Sequence, residues 1–471
     1  MKRSLLLIGA LLLVAGCASA RSQATPDEQA STVPSTVPPA GSTAENTSST
    51  TVTVTPSSST TTATTTTSTA IPQRERVRTG ADRLVEDEFA VLAGRRVGLI
   101  VHQNSVVFGE EATPHLADLA DEQPDVDLVA LFSPEHGVRG TADAGELVTD
   151  GIDEQTGVPI YSLFGATRKP TPEMLRDIDV LVYDLQDVGA RYYTYISTLG
   201  LAMQAASEAG IPFVVLDRPN PLGGTVGGGV MEPGRTSFVG QYPIPAQYGL
   251  TSGELADLIM QQQWLAGVDT LDLTVVELDG WDRTMTWEET GLPWIPPSPA
   301  LTTTDAALLY PAMIYFEALS LSYGRGTDAP FTVFGAPWLD AEAAVEALRA
   351  RRLDGIDATA SEVTPTMLPG MTVEPAYLDV SIPAVSLSVT DASTLRPTEV
   401  GVHLLDIVTR QATDIGVAVL ARPDWLDQLS GSSVLREAIE SGDVDPDRII
   451  SAHAQQRVDI VETLAAAERY D

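Results

Sequence analysis

With a single cysteine in 471 residues, Cys17, the chain can build neither a disulfide framework nor a multi-thiolate metal site, and thiol catalysis is excluded with them. Positive charge is scarce as well. Lys and Arg number 28 against 64 Asp and Glu, a net charge of −36 at pH 7, and a surface of that sign repels phosphate backbones, so nucleic acid is not a partner. The five histidines, His102, His115, His136, His403 and His453, form no HxH or HExxH pair, and no GxSxG turn occurs. A closed zinc site and a serine hydrolase are both disfavoured. The apolar run Leu5 to Ala15 is too short to cross about 30 Å of hydrocarbon as a permanent helix.

What is present divides the chain. Lys2 and Arg3 precede that apolar run, which ends in Val14-Ala15-Gly16-Cys17, the pattern of a bacterial lipobox. Residues 1–17 therefore read as a lipoprotein signal peptide, with Cys17 lipidated and the mature protein anchored to the outside of the cell membrane. Residues 31–70 hold 25 Ser or Thr and almost nothing to bury. The stretch 18–75 is expected to be a disordered linker with a reach on the order of 40 Å. Two units should follow, 76–300 and a smaller 301–471.

From about Ala81 short β-branched runs alternate with helical stretches, the rhythm of a mostly parallel α/β sheet. Four runs end in polar residues. Val97–Val101 leads to His102-Gln103-Asn104, Val126–Phe132 to Ser133-Pro134-Glu135-His136-Gly137, Val180–Tyr183 to Asp184-Leu185-Gln186-Asp187, and Phe213–Leu216 to Asp217-Arg218-Pro219-Asn220. Ligands of open parallel sheets bind beyond the carboxyl ends of the strands, so these four loops are expected to line one pocket. Helices are expected over 172–178, 196–208, 306–321, 341–351, 400–413 and 458–469.

Glu135 stands in a Pro-Glu-His-Gly turn at a strand end, where partial burial suits a general acid. Asp184, Gln186, Asp187, Arg191 and the tyrosines Tyr192, Tyr193 and Tyr195 together suit a sugar, which needs acceptors for its hydroxyls and aromatic faces for its C–H surface. Asp217 and Arg218 read equally as ligand contacts or as a structural pair. Glu317, among apolar neighbours and seven residues before Gly324-Arg325-Gly326, is a further buried candidate. A mixed metal site from His102, His136, Asp184 and Asp187 is the metal-dependent alternative, testable by chelation. The glycine run 223–229 lacks the Gly-Lys-Ser/Thr ending of a phosphate loop.

Taken in order, LFSPEHGVRG (131–140), TGVPIYSLFGATRKPTPEML (156–175), VLVYDLQDVGARYYTYISTL (180–199), VLDRPNPLGG (215–224), SFVGQYPIP (237–245), TGLPWIPPSPA (290–300) and GRGTDAPFTVFGAPW (324–338) resemble the bacterial peptidoglycan exo-β-N-acetylmuramidases. The resemblance covers residues 76–471. It implies a Rossmann-like N-terminal domain, a smaller C-terminal α/β domain with a cleft between them, no cofactor, and release of N-acetylmuramic acid from non-reducing ends of peptidoglycan. Glu135 matches the family's candidate acid. Two acidic positions of the family are replaced here, within Val226-Gly227-Gly228-Gly229 and at Tyr323, leaving Glu317, Asp184 or Asp187 as the second carboxylate. His102, Asn104, His136, Gln186, Tyr193, Asp217 and Arg218 are candidate substrate contacts, and Arg191, Arg218 and Arg325 candidate receivers of the muramyl carboxylate. A non-catalytic wall-binding lipoprotein is the rival reading.

Overall fold

Alternation of apolar residues decides which face each central strand presents. The computed structural model describes residues 76–471 apart from 110, 111, 141, 144, 370 and 372, so Cys17 and the expected linker lie outside the described residues. In β1 (Arg95–Val101), Val97, Leu99 and Val101 join one core and Ile100 the other. The same split places Val180 and Val182 of β5 (Val180–Asp184) and Val214 and Leu216 of β6 (Phe213–Leu216) opposite Leu181, Tyr183, Phe213 and Val215. Both faces are therefore covered. On the first lie α1 (Gly80–Glu86) and α2 (Leu116–Glu122), on the second α3 (Tyr195–Ala209) and α4 (Ser252–Gln261).

The remaining strands of this sheet are β2 (Val126–Ser133), β3 (Gly151–Ile152), β4 (Pro159–Ser162) and, after a two-stranded ribbon of β7 (Val226–Val230) and β8 (Pro245–Tyr248), β9 (Leu273–Val276). Their order is β3-β4-β2-β1-β5-β6-β9, all neighbours parallel except β3 with β4. Leaving out short β3, chain order reverses between β1 and β5, the doubly wound arrangement of a Rossmann-like sheet. Gly98 keeps β1 close to its cover: a Cβ there would sit 2.6 Å from Ile178 Cδ1 and 2.9 Å from the Phe132 ring.

The second half contributes an antiparallel sheet, β10-β12-β11, from β10 (Val333–Gly335), β11 (Ile356–Val363) and β12 (Ile382–Val389). Around it run α5 (Thr304–Met313), α6 (Ala341–Arg351), α7 (Pro397–Asp414), α8 (Pro423–Ser430), α9 (Val434–Ser441) and α10 (Pro446–Ala465). One apolar cluster holds side chains of α3, α4, α5, α7 and β12 together, so residues 76–471 pack as one body. The tail returns to the first half, where Tyr470 donates to Asp217 Oδ2 at 2.7 Å and Arg469 pairs with Asp257 and Glu277.

Three expected helices come out differently. Over 172–178 Thr171 does accept from the Met174 N–H, at 3.4 Å, but the chain makes only turns, because seven residues between Pro172 and β5 leave no room to propagate past nucleation. The expected helix 306–321 stops at Met313. Pro311 lies inside it and lacks a donor, and the chain tightens into a 3₁₀ turn, Ile314–Ala318. α10 starts at Pro446, with Asp445 accepting from the Arg448 N–H, twelve residues before the expected start.

Candidate active site

Beyond the carboxyl end of β2 the backbone turns sharply, with His136 at φ 76° and Gly137 at φ 84°. A left-handed histidine is strained, and here it aims the preceding Glu135 sideways into a cavity of about 570 Å³. One Glu135 carboxyl oxygen accepts from the Gly145 N–H at 2.8 Å and the other from the Thr194 hydroxyl at 2.7 Å. The turn is braced from behind. The Gln186 N–H donates to His102 Nε2 at 2.9 Å, so the proton of this imidazole is on Nδ1, 3.2 Å from the Tyr195 hydroxyl, and that hydroxyl lies 3.1 Å from the Glu135 carbonyl oxygen. Complete burial pushes His102 well below its ordinary pKa and keeps it neutral.

The opposite wall comes from the second half. The 3₁₀ turn after α5 presents Glu317, whose Oε2 accepts from Trp425 Nε1 of α8 at 3.1 Å. Burial raises the Glu317 pKa; Trp425, Arg422 and Arg325 hold it down, and the negative charge of Glu135 adds to the rise. The same cavity carries an aromatic wall of Tyr193, Tyr310, Tyr323 and Phe331, with Tyr310 edge-on to both Tyr193 and Phe331. His136, buried and pushed below its ordinary pKa mainly by desolvation, closes the floor beside Arg325.

Of the residues expected to line this pocket, Glu135, His136, Tyr192, Tyr193, Glu317 and Arg325 do so; Tyr195, which braces the turn from behind, and eight others do not. Asp184 is fully buried in a two-pronged ion pair with Arg218, at 2.6 and 2.9 Å, and neither lines this cavity. Asp217 accepts from Thr251, Gly253 and Tyr470 away from the cavity. Asn104 donates to the Ile295 carbonyl at 2.6 Å, fixing the proline-rich segment over the sheet, and Gln186 donates to the carbonyls of Asp187 and Pro219. Tyr193 anchors the same proline-rich segment through the Pro297 carbonyl, 2.9 Å from its hydroxyl, while keeping its ring on the cavity. Arg191 is spent on four backbone carbonyls, and His102 on the bracing chain just described. Among the described residues no group of His, Cys, Asp and Glu is placed to hold a metal ion, and the mixed set His102, His136, Asp184 and Asp187 is not assembled as one.

Asp187 is the eighth. It is buried behind the cavity, accepting from the Tyr248 hydroxyl and from the Gly189 N–H at 2.7 Å, and burial raises its pKa from 3.8 to about 7. Between pH 4 and 7 the native state therefore holds a proton that the unfolded chain has released, so this carboxyl lowers stability as pH rises. The span of about three pKa steps amounts to something on the order of 4 kcal/mol. Asp187→Asn should flatten the decline of the melting temperature between pH 4 and 7; an unchanged slope would show that the carboxyl is ionised throughout.

Sequence reading missed Thr194, Arg168, Phe164, Phe238, Arg422 and Trp425, all on the cavity. At the two positions where the resemblance implied an acidic residue, the surroundings are as follows. Gly227 and Gly229 lie in β7, where a Cβ would come within 2.6 Å of Thr398 Oγ1 and 2.9 Å of the His453 ring, so no acidic side chain fits. Tyr323 keeps its place on the cavity and packs its ring 5.4 Å from Phe331.

Comparison with known proteins supplies the rest. Residues 97–305 match the family described as exo-beta-N-acetylmuramidase NamZ, N-terminal, and residues 308–460 its C-terminal counterpart. Peptidoglycan beta-N-acetylmuramidase NamZ of Bacillus subtilis (strain 168) is 47% identical over 295 residues, 62% of this chain and 70% of that protein. This chain belongs to the NamZ family. Two DUF1343 family proteins of Bacteroides fragilis NCTC 9343 share its fold, one at 38% identity and TM-score 0.75, the other at 30% and 0.67. Each alignment covers 84% of this chain and 99% of the other. Unlike the two NamZ matches, a third lies outside the described residues: 1–18 match a prokaryotic membrane lipoprotein lipid attachment site. No helix among the described residues is long and apolar enough to cross a membrane.

Proposed function

We propose that this NamZ-family protein is an exo-acting glycoside hydrolase that releases N-acetylmuramic acid from non-reducing ends of peptidoglycan, with Glu135 as general acid and Glu317 as the second carboxylate. The observation that carries the assignment is that these two carboxyls, and neither Asp184 nor Asp187, line one cavity of about 570 Å³ with an aromatic wall. That volume suits a terminal saccharide, whose apolar faces pack on Tyr193 and Tyr310.

Glycosidic cleavage needs a proton on the leaving oxygen and stabilisation of an oxocarbenium-like centre. Glu135 is half-buried, so it can regain its proton from solvent after each turnover. The Thr194 hydroxyl beside it donates when the carboxyl is ionised and can rotate to accept when it is protonated. Glu317 is held by the Trp425 N–H, where its negative charge would face the ring or orient the 2-acetamido group that attacks the anomeric carbon. An anchor at Cys17, followed by the Ser/Thr-rich stretch, would hold the site outside the membrane within reach of the wall.

The deciding experiment incubates the protein with a chromogenic β-N-acetylmuramide. Turnover is expected, and affinity without turnover would make it a wall-binding module instead. Glu317→Gln refines the test. Ionised Glu317 is required in this scheme, and burial raises its pKa above the ordinary 4.5, so wild-type kcat should climb with pH through a value above 4.5. The variant should lose that acid limb together with about 100-fold in kcat. A pH profile of unchanged shape would remove Glu317 from the mechanism.

A further inference from the structure

Of the three arginines that the sequence offered for the muramyl carboxylate, Arg191 is committed to backbone carbonyls and Arg218 to Asp184, both off the cavity, while Arg325 lines the cavity but is paired with Asp143 at 2.6 Å. A fourth cation on the cavity is different. Arg168 follows β4 in an irregular loop, and its guanidinium carbon lies 4.4 Å from the centre of the Phe164 ring and 4.0 Å from that of Phe238. The two rings are 6.0 Å apart and inclined at 47°, so they form a notch in which the guanidinium rests.

Stacking occupies the faces of a guanidinium and leaves the N–H groups along its edge, the fork that matches a carboxylate with two parallel hydrogen bonds. Among the described residues Arg168 makes no ion pair or side-chain hydrogen bond, although it lines the same cavity as Glu135. Burial depresses its pKa while the charge of Glu135 supports it, the situation of a cation that has lost water without gaining a direct partner. Arg422, the other cation there without an ion pair or side-chain hydrogen bond among the described residues, stands over Trp425 at 5.0 Å, next to half-buried Glu317, whose charge it offsets.

We propose that Arg168, held in the Phe164–Phe238 notch, receives the carboxylate of the substrate's lactyl ether and makes the site selective for muramyl over uncharged N-acetylhexosaminyl ends. The assignment rests on the muramidase reading above. It also explains how a chain of net charge −36 admits an anionic sugar: one preorganised cation, its rotamer fixed by two rings, meets the carboxylate inside the cavity.

The test compares two aryl β-N-acetylmuramides, one with a free lactyl carboxylate and one with that carboxyl converted to an amide. Wild type should favour the carboxylate by about 100-fold in kcat/KM, chiefly through KM. Arg168→Ala should treat both alike, at the rate wild type shows on the amide, and Arg168→Lys, which keeps the charge but not the fork, should fall between. Arg422→Ala should retain the preference. Arg168→Ala keeping the preference, or Arg422→Ala abolishing it, would overturn the assignment, as would a wild type indifferent to the amide. If wild type cleaves neither compound, the muramidase reading fails by itself, and the role of Arg168 is then read from binding. N-acetylmuramic acid should bind wild type more tightly than N-acetylglucosamine, and Arg168→Ala should erase the difference; equal weakening of both sugars would count against it.

Discussion

Glu135→Gln is expected to lower kcat on peptidoglycan glycans by about 10³-fold while leaving KM within threefold. Glutamine keeps an oxygen to accept from Gly145 or Thr194, so the strained turn at His136 and the bracing chain through Tyr195 should stand. What is lost is the proton. That distinction has a kinetic signature, because a nitrophenolate leaves without protonation whereas a sugar hydroxyl does not. On an activated aryl muramide the variant should therefore lose much less than on a glycan. Equal losses on the two substrates would mean that Glu135 acts at the anomeric carbon, not on the leaving group, and would exchange its role with that of Glu317.

Much of this geometry was legible in the sequence because it follows from strand ends. Period-two alternation in Val97–Val101 and Val180–Tyr183 fixes which residues leave the sheet at its carboxyl edge, and a left-handed helix end at Gly210, φ 67°, closes α3 where expected. Strand-end position alone did not separate Glu135 from Asp184. Both leave parallel strands, but β2 ends in a turn that swings Glu135 outward, whereas Asp184 lies at the reversal of strand order, where Arg218 from the next strand fills the crevice. In many doubly wound proteins a ligand occupies that crevice; here the chain's own ion pair and the proline-rich segment take the space. Arg168 and Phe238 could not be read as a pair, because 70 residues and no regular spacing separate them. Glu317 was found by its apolar neighbours, but its direction depends on the 3₁₀ turn after Pro311, which a helical reading would have aimed elsewhere.

Replacing Arg191 should have the largest effect on stability, and the reason lies in how its charge is held. The guanidinium is fully buried with no carboxylate partner among the described residues; it donates to the carbonyls of Gly229, Ile244, Leu429 and Ser430 at 2.8–3.1 Å. The last two are at the carboxyl end of α8, whose dipole favours a cation. One side chain from the loop after β5 thus ties the β7–β8 ribbon to α8, across more than 230 residues of chain. Arg191→Ala strips four buried carbonyls of their donors at once, and about 3–5 kcal/mol of unfolding free energy should go with it. Arg191→Lys should recover little, since one ammonium cannot span carbonyls on β7, α8 and the residue before β8. Activity should fall in the variant even where it remains folded, because α8 carries Trp425, the donor to Glu317, and Leu429, part of the cavity wall. Denaturant unfolding and kcat measured at low temperature separate the two effects. A loss under 1 kcal/mol would show that water replaces the guanidinium on those carbonyls; full activity in a destabilised but folded variant would show that α8 keeps Trp425 on Glu317 without it.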